Sequence, residues 1–137
     1  MRQVFKLKTA ARWSKKSGFT DQFLLRALDE IEQGLFDADY GAGLYKKRVA
    51  KPGKGKSGGW RIIIAKKEIV NEGQNTYVRW LFATGYSKNE MDDLPDDKRD
   101  FYKTYCSMIL SKDAQMLEKL VLEGDLIKVT EQGTKDE

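Results

Sequence analysis

The sequence has no histidine, one cysteine, two prolines and no apolar run of bilayer length. The missing histidine removes the commonest general acid/base and the commonest transition-metal ligand together. Any catalysis must then fall to lysine, arginine, tyrosine or carboxylates, and neither a metal nor another cofactor is expected. Cys106 has no second thiol for a disulfide and no histidine with which to share a metal. Its neighbours Met108, Ile109 and Leu110 mark it as a buried structural thiol. Crossing a bilayer takes roughly 20 apolar residues, and the opening MRQVFKLKTAARW lacks the apolar segment of a signal peptide. A cytoplasmic location with no membrane partner is the expectation.

What the chain does have is charge and a core. Of 137 residues, 40% are hydrophobic and 34% charged, too apolar a balance for wholesale disorder. One domain over residues 1–137 is expected, with a polar, disordered tail from about Thr130. The net charge of +4 conceals an asymmetry. Residues 1–40 carry 7 basic and 6 acidic side chains, residues 41–89 carry 11 and 2, and residues 90–137 carry 7 and 13. The middle third is therefore strongly electropositive. Lys46, Lys47, Arg48, Lys51, Lys54, Lys56 and Arg61 gather around one glycine-rich loop, where their mutual repulsion costs stability unless an anion relieves it. A polyanion is the natural partner, since lysine and arginine contacts to phosphate are the usual source of nucleic-acid affinity.

The hydrophobic pattern predicts a strand over Val4 to Lys8 and a helical turn over Thr9 to Lys16 that Ser17 and Gly18 end. A second helix, capped by Thr20, carries Phe23, Leu24, Ala27, Leu28 and Ile31 at helical spacing as far as Gly34. Leu44 to Ala50, Trp60 to Ala65 and Tyr77 to Ala83 are short, β-branched and aromatic, and predict three strands, the last two joined by the turn NEGQN. After Gly85 the pattern turns helical, with Asp92 or Asp93 near the cap, Pro95 in the first turn and Phe101, Tyr105, Met108 and Ile109 along one side. A last helix from Asp113 holds Met116, Leu117, Leu120 and Val121 and stops at Gly124. The order implies an α+β fold, a small antiparallel sheet flanked by N-terminal and C-terminal helices.

The tripeptide Gly55-Lys56-Ser57 invites a phosphate-loop reading, which the sequence refutes. The first glycine of that motif would fall on Ala50, and a strand rather than a helix follows Ser57. Tyr45, Trp60, Tyr77, Trp80 and Phe82 have the spacing of core aromatics, whereas Tyr86, between Gly85 and Lys88, is placed to leave the sheet and stack on a base.

Three stretches, Lys46-Lys-Arg-Val-Ala50, Gly55-Lys-Ser-Gly-Gly-Trp-Arg-Ile62 and Gly85-Tyr-Ser-Lys-Asn-Glu90, resemble the RelE/HigB group of bacterial toxins from toxin–antitoxin operons. The aromatic-Arg pair after paired glycines is the most specific mark, and the likeness extends from about residue 20 through Leu-Glu-Gly-Asp-Leu-Ile at 122–127. The resemblance implies an mRNA endonuclease, acting on the ribosome and restrained by a cognate antitoxin protein. It places Arg61 at the catalytic arginine, Lys54 and Lys56 near the scissile phosphate, Lys88 at the basic residue before the last helices and Tyr86 at an aromatic of the same strand end. Met91 stands where many relatives carry a basic residue, and the terminal catalytic tyrosine of some has no counterpart. Lys46, Lys47, Arg48, Lys51 and Arg79 complete the expected RNA-binding set.

Without histidine, the base that removes the 2′-hydroxyl proton must be a lysine beside like charges, for which Lys54 and Lys56 are the candidates. Glu68 and Glu72 are the only acidic residues in the basic centre, too few for two-metal chemistry. Two other functions would use the same basic face: gyrase inhibition by a toxin of this fold, and non-catalytic regulation by nucleic-acid binding.

Overall fold

A computed structural model describes residues 2–53, 55–71 and 73–131, with residues 55–57 described in their backbone alone. In chain order the elements are β1 (Arg2–Leu7), α1 (Lys8–Ser17), α2 (Asp21–Glu32), β2 (Ala38–Gly41), β3 (Leu44–Lys51), β4 (Gly55–Val70), β5 (Thr76–Ser87), α3 (Asp96–Leu110), α4 (Ala114–Leu122) and β6 (Leu126–Val129). The strands form one sheet of order β2-β3-β4-β5-β1-β6. Its ladders are antiparallel except that of β1 with β5. This is the expected α+β architecture, with the three consecutive strands β3, β4 and β5 as a meander. Among the described residues no helix is long and apolar enough to cross a membrane.

Local chemistry sets the helix ends. Thr20 accepts the Phe23 amide at the start of α2, and Asp113 accepts the Met116 amide at 2.8 Å to start α4. Gly18, at φ 75°, closes α1 by donating its amide to the Ser14 carbonyl. The hairpin between β4 and β5 is held by Asn71, whose side-chain oxygen accepts the Gly73 and Asn75 amides at 3.0 Å; Glu72 lies outside the described residues.

Helices on both faces explain why the central strands read as near-continuous apolar runs. Helices α1 and α2 cover one face, packing Ala10, Leu24, Leu28 and Ile31 on Val4, Trp60, Ile62, Ile64, Trp80 and Phe82. Helices α3 and α4 cover the other, packing Cys106, Ile109, Leu110 and Leu117 on Phe5, Leu7, Ile63, Ala65, Leu81 and Ala83. Ile62, Ile63 and Ile64 are fully buried, and alternation shares them between the two layers. At roughly 1.5–3 kcal/mol per buried aliphatic side chain, this one tripeptide ties both layers to β4.

A bulge then decides what faces α3. Ile63 pairs with Thr84 but Ile64 pairs with Phe82, so Ala83 is an extra residue in β5. Tyr86 consequently joins Leu81 and Ala83 in the α3/α4 layer, which strict alternation from Leu81 would have denied it. Gly85 turns the other way, where a Cβ would strike the Trp13 ring.

Several expectations need correction. Strands β2 and β6 were not foreseen, and β4 and β5 run beyond their predicted ends because Lys66, Lys67 and Glu68 extend the ladder while remaining exposed. Pro95 is the N-cap of α3 and lies just outside its first turn. The chain at 126–129 pairs with β1, and Glu131 accepts from Arg2 at 2.8 Å, so the tail is held at least that far. Residues 132–137 lie outside the described part.

Candidate nucleic-acid interface

The register of the meander places Arg48 of β3 opposite Arg61 of β4, and Arg61 opposite Tyr86 of β5. Directly opposed residues share a face about 5 Å apart, and like charges so placed repel. Lys46, two residues before Arg48, shares that face. The result is a cationic row over the three central strands, bordered by the connection into α3.

Arg61 is 7% exposed and donates to the Gly59 carbonyl at 3.4 Å. Arg48 donates its amide to Asp37 at 2.6 Å, while its Nε stands 3.9 Å from the same carboxylate. Lys46 donates to Asp93 at 3.2 Å. Asp93 also accepts from the Tyr40 hydroxyl at 2.8 Å and from the Leu94 amide at 2.8 Å. Arg99 lies 4.0 Å from Asp93, pairs with Asp96 at 3.2 Å and sits over the Tyr40 ring at 4.5 Å. Partial burial raises the Asp93 pKa, but the bonds from Tyr40, Leu94 and Lys46 outweigh it and hold the carboxyl below its ordinary value. Burial first, and then the bond to Asp93, raises the Tyr40 phenol.

Tyr86 differs from its expected use. Its ring is 3% exposed within the α3/α4 layer, so no base can stack on it. Among the described residues its hydroxyl is buried with no hydrogen-bond partner. Burial, and then the Asp93 charge, push the phenol up to about 12 against the opposing pull of Arg61 and Arg99. At neutral pH this hydroxyl is therefore a proton-bearing donor beside a cationic row.

The other expected residues divide. Lys88 is exposed, and its amide reaches the Gly59 carbonyl at 3.4 Å, which sets it at the same strand ends as Arg61. Lys51 leans over the Trp60 ring at 5.9 Å, and Trp60 belongs to the α1/α2 layer. Lys47 is 4% exposed and spends its ammonium on Glu30 of α2 at 2.7 Å. Arg79, expected as an RNA ligand, is held inside the fold. It is 3% exposed and donates to the Leu110 and Lys112 carbonyls at 2.9 and 3.0 Å, to Gln3 at 3.0 Å and to the Tyr77 hydroxyl at 3.2 Å. It anchors the end of α3, seven residues along β5 from Tyr86 and so roughly 23 Å away. Lys54 lies outside the described residues, and so does the side chain of Lys56. Sequence reasoning missed Tyr40, Asp93 and Arg99. Asp93 carried a signal, an acid just before a helix, but one that reads as capping.

Two helical layers about a sheet with one cationic face define a small α+β protein built around its central meander. The chain belongs to the RelE family, because the family model described as RelE toxin of the RelE / RelB toxin-antitoxin system matches residues 1–129. The match takes in every element of the fold described above. No curated protein that was compared matches the chain.

Proposed function

We propose that this RelE-family chain is a ribosome-dependent endoribonuclease, a toxin that cleaves mRNA in the cytoplasm and is held in check by a cognate antitoxin protein. The observation that carries the reading is the Arg48–Arg61 pair, two cations opposed across β3 and β4 beside the partnerless hydroxyl of Tyr86. Like charges opposed on a ladder repel, and a phosphodiester lying across the row would draw on both.

In this reading Lys46 and Arg48 hold backbone phosphates, and Lys88 steadies the phosphate at the strand ends. Lys54 or Lys56 takes the proton from the RNA 2′-hydroxyl, whose oxygen attacks the adjacent phosphorus. Arg61 stabilises the charge that develops on the phosphoryl oxygens. The bond from phosphorus to the 5′-oxygen then breaks, and that oxygen takes up a proton. The products are a 2′,3′-cyclic phosphate and a 5′-hydroxyl. The route needs no metal, and the carboxylates beside the row are already engaged, Asp93 by Tyr40 and Lys46 and Asp37 by the Arg48 amide.

Expression with and without the adjacent small reading frame tests this. Expression alone is expected to arrest growth and fragment mRNA, and co-expression to restore both. Broken DNA with intact mRNA would indicate gyrase poisoning, and harmless expression of folded protein would overturn the toxin reading.

A further inference from the structure

Asp93 lies in the connection between β5 and α3, half exposed, and there gathers donors from separate elements. The Tyr40 hydroxyl comes from β2, the Lys46 ammonium from β3, the Leu94 amide from the connection itself and the Arg99 guanidinium from α3. A phenol, an ammonium, a backbone amide and a guanidinium around one anion are the donors that a phosphate group collects. Among the described residues, two donors of the same cluster lack an acceptor: the Tyr86 hydroxyl, on a side chain 3% exposed, and the buried Arg99 Nε. The cluster thus holds more donor capacity than one carboxylate satisfies. A half-exposed carboxylate held by ion pairs is also held weakly, because solvent screens them.

We propose that the Asp93 carboxylate is an internal stand-in for an RNA phosphate, and that Tyr40, Lys46 and Arg99 form a phosphate subsite beside Arg61 which the substrate occupies when Asp93 gives way. The inference rests on the RNA-binding reading and deepens it, adding Tyr40 and Arg99 as ligands and Asp93 as the group that competes with substrate. A plain structural tether would use the same contacts, but it would leave the Tyr86 hydroxyl unexplained and would not weaken anion binding.

Two measurements on the full chain decide it. The first compares the thermal midpoint in sodium phosphate and in sodium chloride of equal ionic strength, for the wild type and for Asp93→Asn. Phosphate is expected to raise the midpoint of Asp93→Asn more than that of the wild type, and Tyr40→Phe in the variant is expected to abolish the gain. Equal shifts would overturn the subsite. Asp93→Ser, which keeps an oxygen for the Leu94 amide, serves if Asp93→Asn does not fold. The second measures binding of a 2′-O-methylated RNA oligonucleotide, which cannot be cleaved at its own hydroxyls. Asp93→Asn is expected to bind about tenfold tighter, with a salt slope steeper by about 0.7, one added phosphate contact. Unchanged or weaker binding with an intact fold would overturn the stand-in. If Arg61→Met leaves oligonucleotide binding unaltered while the phosphate shifts are as expected, the RNA reading fails and the anion subsite stands.

Discussion

Arg61 offers the sharpest separation of chemistry from folding. Truncation to alanine removes two stem methylenes from a side chain that is 7% exposed, at about 0.8 kcal/mol each. Against this, it relieves the repulsion with Arg48 across the ladder, roughly 0.5 kcal/mol. It also removes the guanidinium's bond to the Gly59 carbonyl, worth roughly 1 kcal/mol, so Arg61→Ala should lose at least about 2 kcal/mol of stability. Arg61→Met keeps an apolar stem of similar length and should unfold within about 0.5 kcal/mol of wild type. Both should lose at least about 10²-fold in cleavage rate, some 2.7 kcal/mol of transition-state stabilisation, since neither can meet the charge on the phosphoryl oxygens. Urea unfolding supplies the first quantity, and single-turnover cleavage on programmed ribosomes the second. Wild-type cleavage by Arg61→Met would refute the reasoning. So would a rate loss in Arg61→Ala no larger than its rise in unfolded fraction.

Other consequences are as direct. Lys46→Ala with Arg48→Ala should flatten the dependence of log affinity on log salt by about 1.4 for single-stranded RNA, and an unchanged slope would remove this face as the binding surface. Gly85→Ala drives a methyl into the Trp13 ring and should cost about 1–3 kcal/mol in urea unfolding, whereas an unshifted midpoint would show that β5 is not seated as described. Tyr40, Tyr86 and Tyr102 all have raised phenol pKa values, burial being the leading cause. Their stabilising contribution should be complete below the unfolded tyrosine value near pH 10 and fall as pH rises towards the folded value, about 12 for Tyr86. Thermal midpoints from pH 9 to 12 should decline less steeply in Tyr86→Phe, and an identical decline would contradict the burial argument.

The parts of the fold written in apolar periodicity could be read from the sequence. Helix α2 with its Thr20 cap, α4 with Asp113 and the β3–β4–β5 meander all follow from local pattern. Strand β2 could not be read, because Ala-Asp-Tyr-Gly has no alternation and is held by backbone pairing to β3 at the sheet edge. Strand β6 is four residues after a glycine, and only its pairing with β1 makes it a strand. The face that Tyr86 occupies was not legible, since it depends on a single extra residue at Ala83. Arg79 carried a usable signal, a lone cation in the run Tyr-Val-Arg-Trp-Leu-Phe-Ala. In a strand covered on both faces such a residue is satisfied internally. The buried thiol expected at Cys106 is found, 1% exposed and pushed up to about 12 by burial. Tyr40, Asp93 and Arg99 are distant in sequence and meet only when β2, the β5–α3 connection and α3 converge.

The central claim is attack by the RNA's own 2′-hydroxyl at a cationic row. Its most direct test is cleavage of mRNA on programmed ribosomes, with excess EDTA added once the complexes are assembled and the fragment ends then identified. Undiminished cleavage that leaves a 2′,3′-cyclic phosphate and a 5′-hydroxyl is the predicted result. A requirement for a divalent ion beyond what ribosome integrity needs, or fragments bearing a 5′-phosphate, would contradict it.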